Sequence, residues 1–165
     1  MKFQMTHVFA CTPAEYWELL DTPEFEDLQS KESNVARELR EQRTNPDGSR
    51  FKRVRCVPRR EWPAVMKSFL GPEGLVYDQV NETYPEKNLL KWRVEVQKVG
   101  DRVHVEGTTV LRPHPQGCER TLAGEIRVSV PFVGGKIEQA VGQDFERSFQ
   151  RTAEAIRRFI AERKA

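Results

Sequence analysis

The sequence lacks several features that would assign a protein class at once. Only three of its 165 residues are cysteines, namely Cys11, Cys56 and Cys118. Their odd number and wide spacing predict reduced thiols in a cytoplasmic protein, because a disulfide framework needs paired cysteines. The first ten residues have no apolar core of signal-peptide length, and no run of about 18 apolar residues occurs anywhere. We therefore expect neither a leader nor an integral membrane segment.

An excess of charge of one sign is also missing. The chain has 27 basic and 25 acidic residues, for a formal net charge of +2 at pH 7. This balance gives no argument for nucleic acid or an anionic membrane as a partner. No phosphate loop, nucleophile elbow or dinucleotide fingerprint occurs. His114 and Cys118 have a loose metal-like spacing, but no second pair completes four ligands. We expect no metal and no cofactor.

The C-terminal part of the chain carries the strongest pattern. Residues Leu122–Val130 alternate between apolar and polar positions, which predicts a strand with one buried face. After the turn Pro131–Gly135, apolar residues recur at spacings of three and four from Ile137 to Ile160, which predicts one long amphipathic helix. A strand that leads directly into such a helix indicates a sheet covered by that helix.

Shorter elements precede this unit. Thr12, Pro13 and Glu15 predict a capped short helix that runs to about Leu20, and Thr22-Pro23 predicts a second short helix near Phe25–Gln29. A third short apolar helix, Trp62–Leu70, is either a lid or a helix packed permanently on the sheet, and we favour packing. The remaining periodic segments predict seven strands, antiparallel because short turns join most of them: Lys2–Ala10, Asn34–Arg43, Ser49–Val57, Leu75–Glu82, Leu89–Gln97, Val103–Arg112 and Glu119–Val130. Without linkers or repeats, residues 1–165 are expected to form one domain.

This order of elements, ending in the segment VPFVGGKIEQAV at residues 130–141, resembles the START-like or polyketide-cyclase-like (SRPBCC) superfamily. Within that superfamily the segment is similar to a poorly characterised bacterial family. The resemblance implies an α+β helix-grip fold, in which a curved seven-stranded antiparallel sheet wraps around a long C-terminal helix and two short helices follow strand 1. It also implies a deep apolar cavity between sheet and helix, and it does not name a ligand.

The strand and helix patterns select candidate residues for that cavity. The candidate ligand-binding residues are Phe69, Tyr77, Trp92, Val94, Val105, Ile126, Ile137, Val141 and Phe145. The alternative is that these side chains simply fill the core. Our leading hypothesis is a protein that binds or transports a lipid or another hydrophobic small molecule, without catalysis and with no catalytic residue assigned. The sequence leaves the oligomeric state open.

Two other functions remain open. A cyclase-type, hydrolase-type or dehydratase-type enzyme would use the same cavity, with His7 as a base or a buried carboxylate among Glu82, Glu106 and Glu125. Solvent exposure of all four side chains would remove this alternative. A protein-interaction module would instead show an exposed apolar patch of several hundred square ångströms.

The second and third strands are unusually basic on both faces. We favour a solvated, twisted pair of edge-like strands whose charges pair with Glu38 and Glu41 across the ladder. The alternative is that Arg53 or Arg55, which share a strand face with Phe51, enters the cavity and meets an acidic ligand head.

Overall fold

The structure, a computed structural model, describes residues 1–165. Its strands are β1 (Lys2–Phe9), β2 (Val35–Thr44), β3 (Arg50–Pro58), β4 (Tyr77–Tyr84), β5 (Leu89–Val96), β6 (Val103–His114) and β7 (Gly117–Val128). Its α-helices are α1 (Pro13–Leu19), α2 (Pro23–Ser33), α3 (Ala64–Leu70) and α4 (Gly134–Lys164). Two short 3₁₀ turns, Pro85–Lys87 and Gly100–Arg102, flank β5.

All seven strands form one antiparallel sheet in the order β1-β7-β6-β5-β4-β3-β2. Every strand from β2 to β7 pairs with its neighbour in the chain, and β1 joins the far edge beside β7. The predicted α+β helix-grip architecture is confirmed, including the two short helices after β1. Helix α2 is longer than predicted and continues to Ser33, where Asn34 ends it in a left-handed conformation with φ of 56°.

The start of α1 shows how local sequence determines local structure. The Thr12 side chain accepts a hydrogen bond from the amide of Glu15 at 3.2 Å, and the Glu15 carboxylate accepts one from the amide of Thr12 at 2.9 Å. This reciprocal pair is the predicted capping box, and Pro13 occupies the first helical position. The helix therefore begins where the sequence predicts.

The turn between β7 and α4 directs the long helix across the sheet. A Cβ atom on Gly134 would collide with the carbonyl oxygen of Val128, so only glycine allows the two backbones to approach this closely. Two residues upstream, Phe132 has φ of 68° and is fully exposed. From the first turns of α4, Glu138 accepts a hydrogen bond from the amide of Val128 at 2.8 Å. This hydrogen bond joins the end of β7 to the start of α4.

An aromatic stack lies between the sheet and α4. Trp92 sits over two glycines of neighbouring strands, Gly107 and Gly124, whose missing side chains leave room for its indole ring. The ring stacks with Phe3 at a centroid distance of 6.1 Å, and Phe3 stacks with Phe145 of α4 at 6.2 Å. Stacked rings at these distances stabilise the sheet–helix interface beyond simple area burial.

The basic strands differ from both expectations. Arg53 and Arg55 point to the outer face of the sheet, where both bind Asp78, so the hypothesis that one of them enters the cavity is wrong. The strand alternation turns their neighbours inward instead. The inward basic side chains include those of Arg50 and Lys52 on β3 and Arg37 on β2. Glu38 and Glu41 do pair with arginines, but within β2 itself.

Candidate functional site

A cavity of about 120 Å³ lies between the concave face of the sheet, the helices α1 and α2, and the long helix α4. The apolar part of its lining is largely aromatic and includes Phe25, Leu90, Trp92, Val94, Leu122, Phe145 and Phe149. Hydrogen-bonding and charged groups are interleaved with these residues, since Asn81 pairs with Trp92 and Thr109 with Leu90 in the sheet. The polar part of the lining includes Glu26, Gln29, Lys52, Gln79, Asn81, Thr109 and Arg120. The space therefore suits an amphipathic molecule better than a purely apolar one.

The first cluster of polar side chains at the cavity joins α2 to β2 and β3. Glu26 accepts hydrogen bonds from Arg37 Nε at 3.0 Å and from Lys52 Nζ at 2.7 Å. Arg37 also donates to the Gln79 side chain at 3.2 Å, and Lys52 donates to the carbonyl oxygen of Leu20 at 3.1 Å. Burial raises the pKa of Glu26, but Arg37 and Lys52 outweigh burial and hold that pKa below its ordinary value. The Glu26 carboxylate is therefore ionised, and it pairs with both Arg37 and Lys52.

The second polar cluster surrounds Arg120 on β7. Its side chain is buried, since only 4% of the residue is exposed. Arg120 donates Nη1–H to the hydroxyl of Tyr16 at 2.7 Å and Nη2–H to Nδ1 of His7 at 3.1 Å. The guanidinium also lies 4.9 Å from the ring centroid of Phe9, a cation–π contact. Its hydrogen-bond partners are thus neutral groups, and no carboxylate pairs with it.

The hydrogen bonds of His7 define its protonation state. Because an arginine can only donate, His7 Nδ1 must accept, and the ring proton is assigned to Nε2. Nε2 then donates to the side-chain oxygen of Gln150 on α4 at 3.1 Å. Burial, and then the charge of Arg120, lower the pKa of His7, so the ring is neutral near pH 7. The neutral His7 ring therefore links Arg120 to Gln150 and helps to hold the guanidinium in position.

The residues predicted to bind a ligand do not all reach this cavity. Tyr77, Trp92, Val94 and Phe145 line it. A second, wholly apolar space of only about 30 Å³ gathers eight of the nine candidates: Phe69, Tyr77, Val94, Val105, Ile126, Ile137, Val141 and Phe145. Such a volume holds about one water molecule. Most of the candidates therefore lie in the tightly packed core beside the cavity. Their part in binding stays a prediction.

The polar residues that line the cavity, such as Arg120, Glu26 and Lys52, were not predicted from the sequence. Arg120 was within reach of sequence reasoning, because Arg120 lies two residues before Leu122 and therefore on the same inward face of β7. The alternation of apolar and polar residues was traced only from Leu122 onward, so Arg120 was not recognised as an inward-facing residue. Glu26 and Lys52 had no comparable signal, since a charged residue in a helix or strand is normally solvated.

The other candidates for chemistry lie elsewhere. Glu82, Glu106 and Glu125 are on the outer face of the sheet, where Glu82 is near Arg93 and Glu125 is near Arg127. They cannot serve as bases in the cavity. His7 is buried on the inner side, so the enzyme alternative is narrowed to that residue and its neighbours.

His114 and Cys118 do not converge either. His114 Nδ1 accepts the amide of Gln116 at 3.1 Å, and Cys118 Sγ lies 4.0 Å from Cys11 Sγ. All three cysteines are free and buried.

Helix α3 is packed against the sheet. Met66 and Leu70 are buried in the apolar core, and Trp62 lies over Gly74, where a Cβ atom would approach the indole Cδ1 and Nε1 atoms too closely. The exposed large hydrophobic residues of the chain are scattered over five segments: Met1, Leu39, Val57, Val65 and Phe132. This distribution gives little support to an interaction module.

A cleft of about 330 Å³ opens to the surface between the C-terminal end of α2, the segment around Trp62, and α4. Its rim includes Arg60, which pairs with Asp144 and covers the Trp62 ring at 4.4 Å. Tyr77 and Phe145 border both this cleft and the cavity, so these two side chains lie between the two spaces.

Residues 4–160 match the model of the family described as Protein of unknown function (DUF2505). The chain belongs to this family. The comparison with curated proteins finds no match for this DUF2505 chain. None of its helices combines the length and the hydrophobicity that crossing a membrane requires.

Several solved structures share the fold of this DUF2505 protein. The Zhui aromatase/cyclase from Streptomyces sp. R1128 is 13% identical with a TM-score of 0.70, over 100% of this chain and 96% of that one. The protein TTHA0849 from Thermus thermophilus is 16% identical with a TM-score of 0.64, over 94% and 97% of the two chains. Ara h 8.0201 is 13% identical with a TM-score of 0.62, over 98% of each chain. The predicted polyketide-cyclase-like fold is confirmed.

Proposed function

We propose that the protein binds or carries a compact hydrophobic small molecule in the cavity beneath α4, without a chemical step. The observation that carries this proposal is one space beneath α4 whose lining combines aromatic rings with hydrogen-bonding side chains. The fold it shares with the Zhui aromatase/cyclase supports a small-molecule site between the sheet and the long helix. We propose further that residues 1–165 act as one domain.

The size of the cavity limits its occupant. About 120 Å³ is close to the roughly 150 Å³ of an engineered protein cavity that binds benzene. Pockets for drug-sized ligands are larger, at roughly 300–1,000 Å³. A molecule with one ring and a short polar arm therefore fits the cavity as it stands. A long-chain lipid exceeds this volume, so part of it would extend out of the cavity, or aromatic residues of α4 such as Phe145 and Phe149 would move aside.

A path for the ligand follows from the shared border of the two spaces. Rotation of Phe145 away from Tyr77 would join the cavity to the surface cleft of about 330 Å³. The polar rim of that cleft would contact the solvent-facing part of a longer ligand. We propose this cleft as the access route, with α4 as the element whose side chains open it.

The absence of catalysis is argued from how the buried acid–base groups are used. Both ring nitrogens of His7 already have partners, and Glu26 is held by two cations. Neither is free to take a proton from a ligand. The observation that favours an enzyme is Tyr16. Its hydroxyl lies beside Arg120 at the cavity wall, and burial raises its pKa, so it remains a proton donor.

A cytoplasmic location is also proposed. The chain has three cysteines, Cys11, Cys56 and Cys118, which are odd in number and widely spaced. Cysteines in this arrangement fit a reducing compartment.

A cavity-filling variant tests the binding function. Thr109→Phe places a ring in the cavity, whereas Thr108→Phe places the same ring on the opposite face of the same strand. Native mass spectrometry of protein purified from its own host should show a bound small molecule in the parent and in Thr108→Phe, but not in Thr109→Phe. Equal ligand occupancy in both variants would place the ligand outside the cavity. An empty parent that also binds none of a panel of hydrophobic ligands would contradict the function.

A further inference from the structure

The unsatisfied buried polar atoms of the protein share one chemical character. They are Arg50 Nε, Trp92 Nε1 and Arg120 Nε, and each is an N–H donor without an acceptor. All three residues line the same cavity. No buried side-chain acceptor is left without a partner. Buried donors without acceptors are costly, so a molecule in the cavity that supplies acceptors would be favoured once small shifts of these buried side chains let it reach them.

The charges of the cavity wall have the same imbalance. Four cationic side chains line it, Arg43, Arg50, Lys52 and Arg120, against the two carboxylates of Asp21 and Glu26. Arg50 pairs with Asp21, Lys52 with Glu26, and Arg43 with Glu41 on β2. Arg120 alone has no carboxylate, although it is the most buried of the four.

Arg120 keeps a free donor beside the Tyr16 hydroxyl. Nη1 and Nη2 each use one of their two hydrogens, on Tyr16 and His7, so a second Nη1–H remains next to Tyr16, and Nε–H is unused as well. The Tyr16 hydroxyl accepts from Arg120 and therefore keeps its own proton to donate. A guanidinium edge beside a hydroxyl group is a geometry that matches the two oxygens of a carboxylate.

We infer that the ligand is a hydrophobic carboxylic acid, whose carboxylate binds Arg120 and Tyr16 while its apolar body lies against Trp92 and Phe145. This inference rests on the proposed binding function and specifies the ligand class for that site. A carboxylate bound at Arg120 would supply the counter-charge that this buried cation lacks. The ring-sized volume of the cavity sets the size of the apolar body.

A matched series of small ligands tests the inference. Phenylacetate, phenylacetamide and phenethylamine share a ring and a short arm, and differ in carrying an anionic, a neutral or a cationic end. Isothermal titration calorimetry should show phenylacetate binding at least tenfold more tightly than the amide, with no binding of the amine. Phenylacetate should also shift the indole N–H resonance of Trp92, assigned from a Trp92→Phe variant.

Two arginine variants of the same strand provide the matched comparison. Arg120→Met should lower the affinity for phenylacetate to that for phenylacetamide, within about threefold. Arg127→Met, on the outer face of β7, should keep the full preference for the acid. Loss of the preference in Arg127→Met, or its survival in Arg120→Met, would overturn the role of Arg120.

The ligand series also decides the question without any variant. If the unmodified protein binds phenylacetamide as tightly as phenylacetate, the acid-specific inference is overturned while the binding function stands. If it binds none of the three ligands at millimolar concentration and no other hydrophobic ligand, the proposed function itself fails. This comparison holds even if Arg120→Met does not fold.

Discussion

The packing of Trp92 over Gly124 yields a quantitative prediction for the variant Gly124→Ala. An alanine Cβ would lie 2.7 Å from Trp92 Cη2 and 2.8 Å from Phe3 Cζ. Ordinary carbon–carbon contacts are about 3.5–4.0 Å, so both rings would have to retreat by close to 1 Å. Both residues are buried and stacked on each other, and Phe3 is stacked in turn on Phe145, which leaves little room for retreat.

Overpacking of this kind costs typically about 1–3 kcal/mol of unfolding free energy. For a chain of 165 residues this corresponds to a fall in Tm of roughly 2–12 °C. Urea unfolding followed by Trp fluorescence would measure the change directly. Gly135→Ala is the matched control, because its Cβ would meet nothing within 4 Å in the first turn of α4. We expect Gly135→Ala to be neutral or stabilising by up to about 1 kcal/mol.

A double-mutant cycle tests the proposed cause. If the clash with the indole produces the loss, then Gly124→Ala should cost less than about 0.5 kcal/mol in the Trp92→Leu background, because Phe3 can then move into the space that the indole vacates. The same cost in both backgrounds, or no cost for Gly124→Ala alone, would refute the packing argument. Because Trp92 forms part of the cavity wall, Gly124→Ala should also weaken ligand binding.

Two further predictions concern buried ionisable groups. The folded state lowers the pKa of His7, so the unfolded chain binds the extra proton, and stability should fall as pH falls below about 6.5. Urea midpoints across this range should show a smaller fall in His7→Gln. Glu26→Gln leaves Arg37 and Lys52 without their carboxylate and should cost about 3–5 kcal/mol by the same unfolding assay, against less than about 0.5 kcal/mol for exposed Glu38→Gln.

Contrary outcomes for these two predictions are equally clear. An identical pH dependence in His7→Gln and the parent would mean that another group titrates in this range. A loss for Glu26→Gln no larger than that for Glu38→Gln would mean that the cluster is open to water and screened.

The elements of the fold were largely predictable because each leaves a short-range pattern. The alternation at the end of β7, the capping box at Thr12 and the three-and-four spacing from Ile137 onward are all local consequences of backbone geometry. The end of α2 was missed, since only the left-handed conformation of Asn34 marks it. The apolar candidates were correctly placed on inward faces, but periodicity cannot distinguish a residue that lines a space from one that fills it.

The sequence by itself determined the order of strands and helices, their inward faces and the resemblance to the helix-grip superfamily, because these depend on neighbours three or four residues away. Tertiary structure alone decided where the empty space lies and what lines it. Glu26, Arg37 and Lys52 meet from three segments, and Arg120 meets His7 and Tyr16 across more than 100 residues of chain. Whether a buried charge finds a partner depends on such long-range packing, and that packing left Arg120 without a carboxylate.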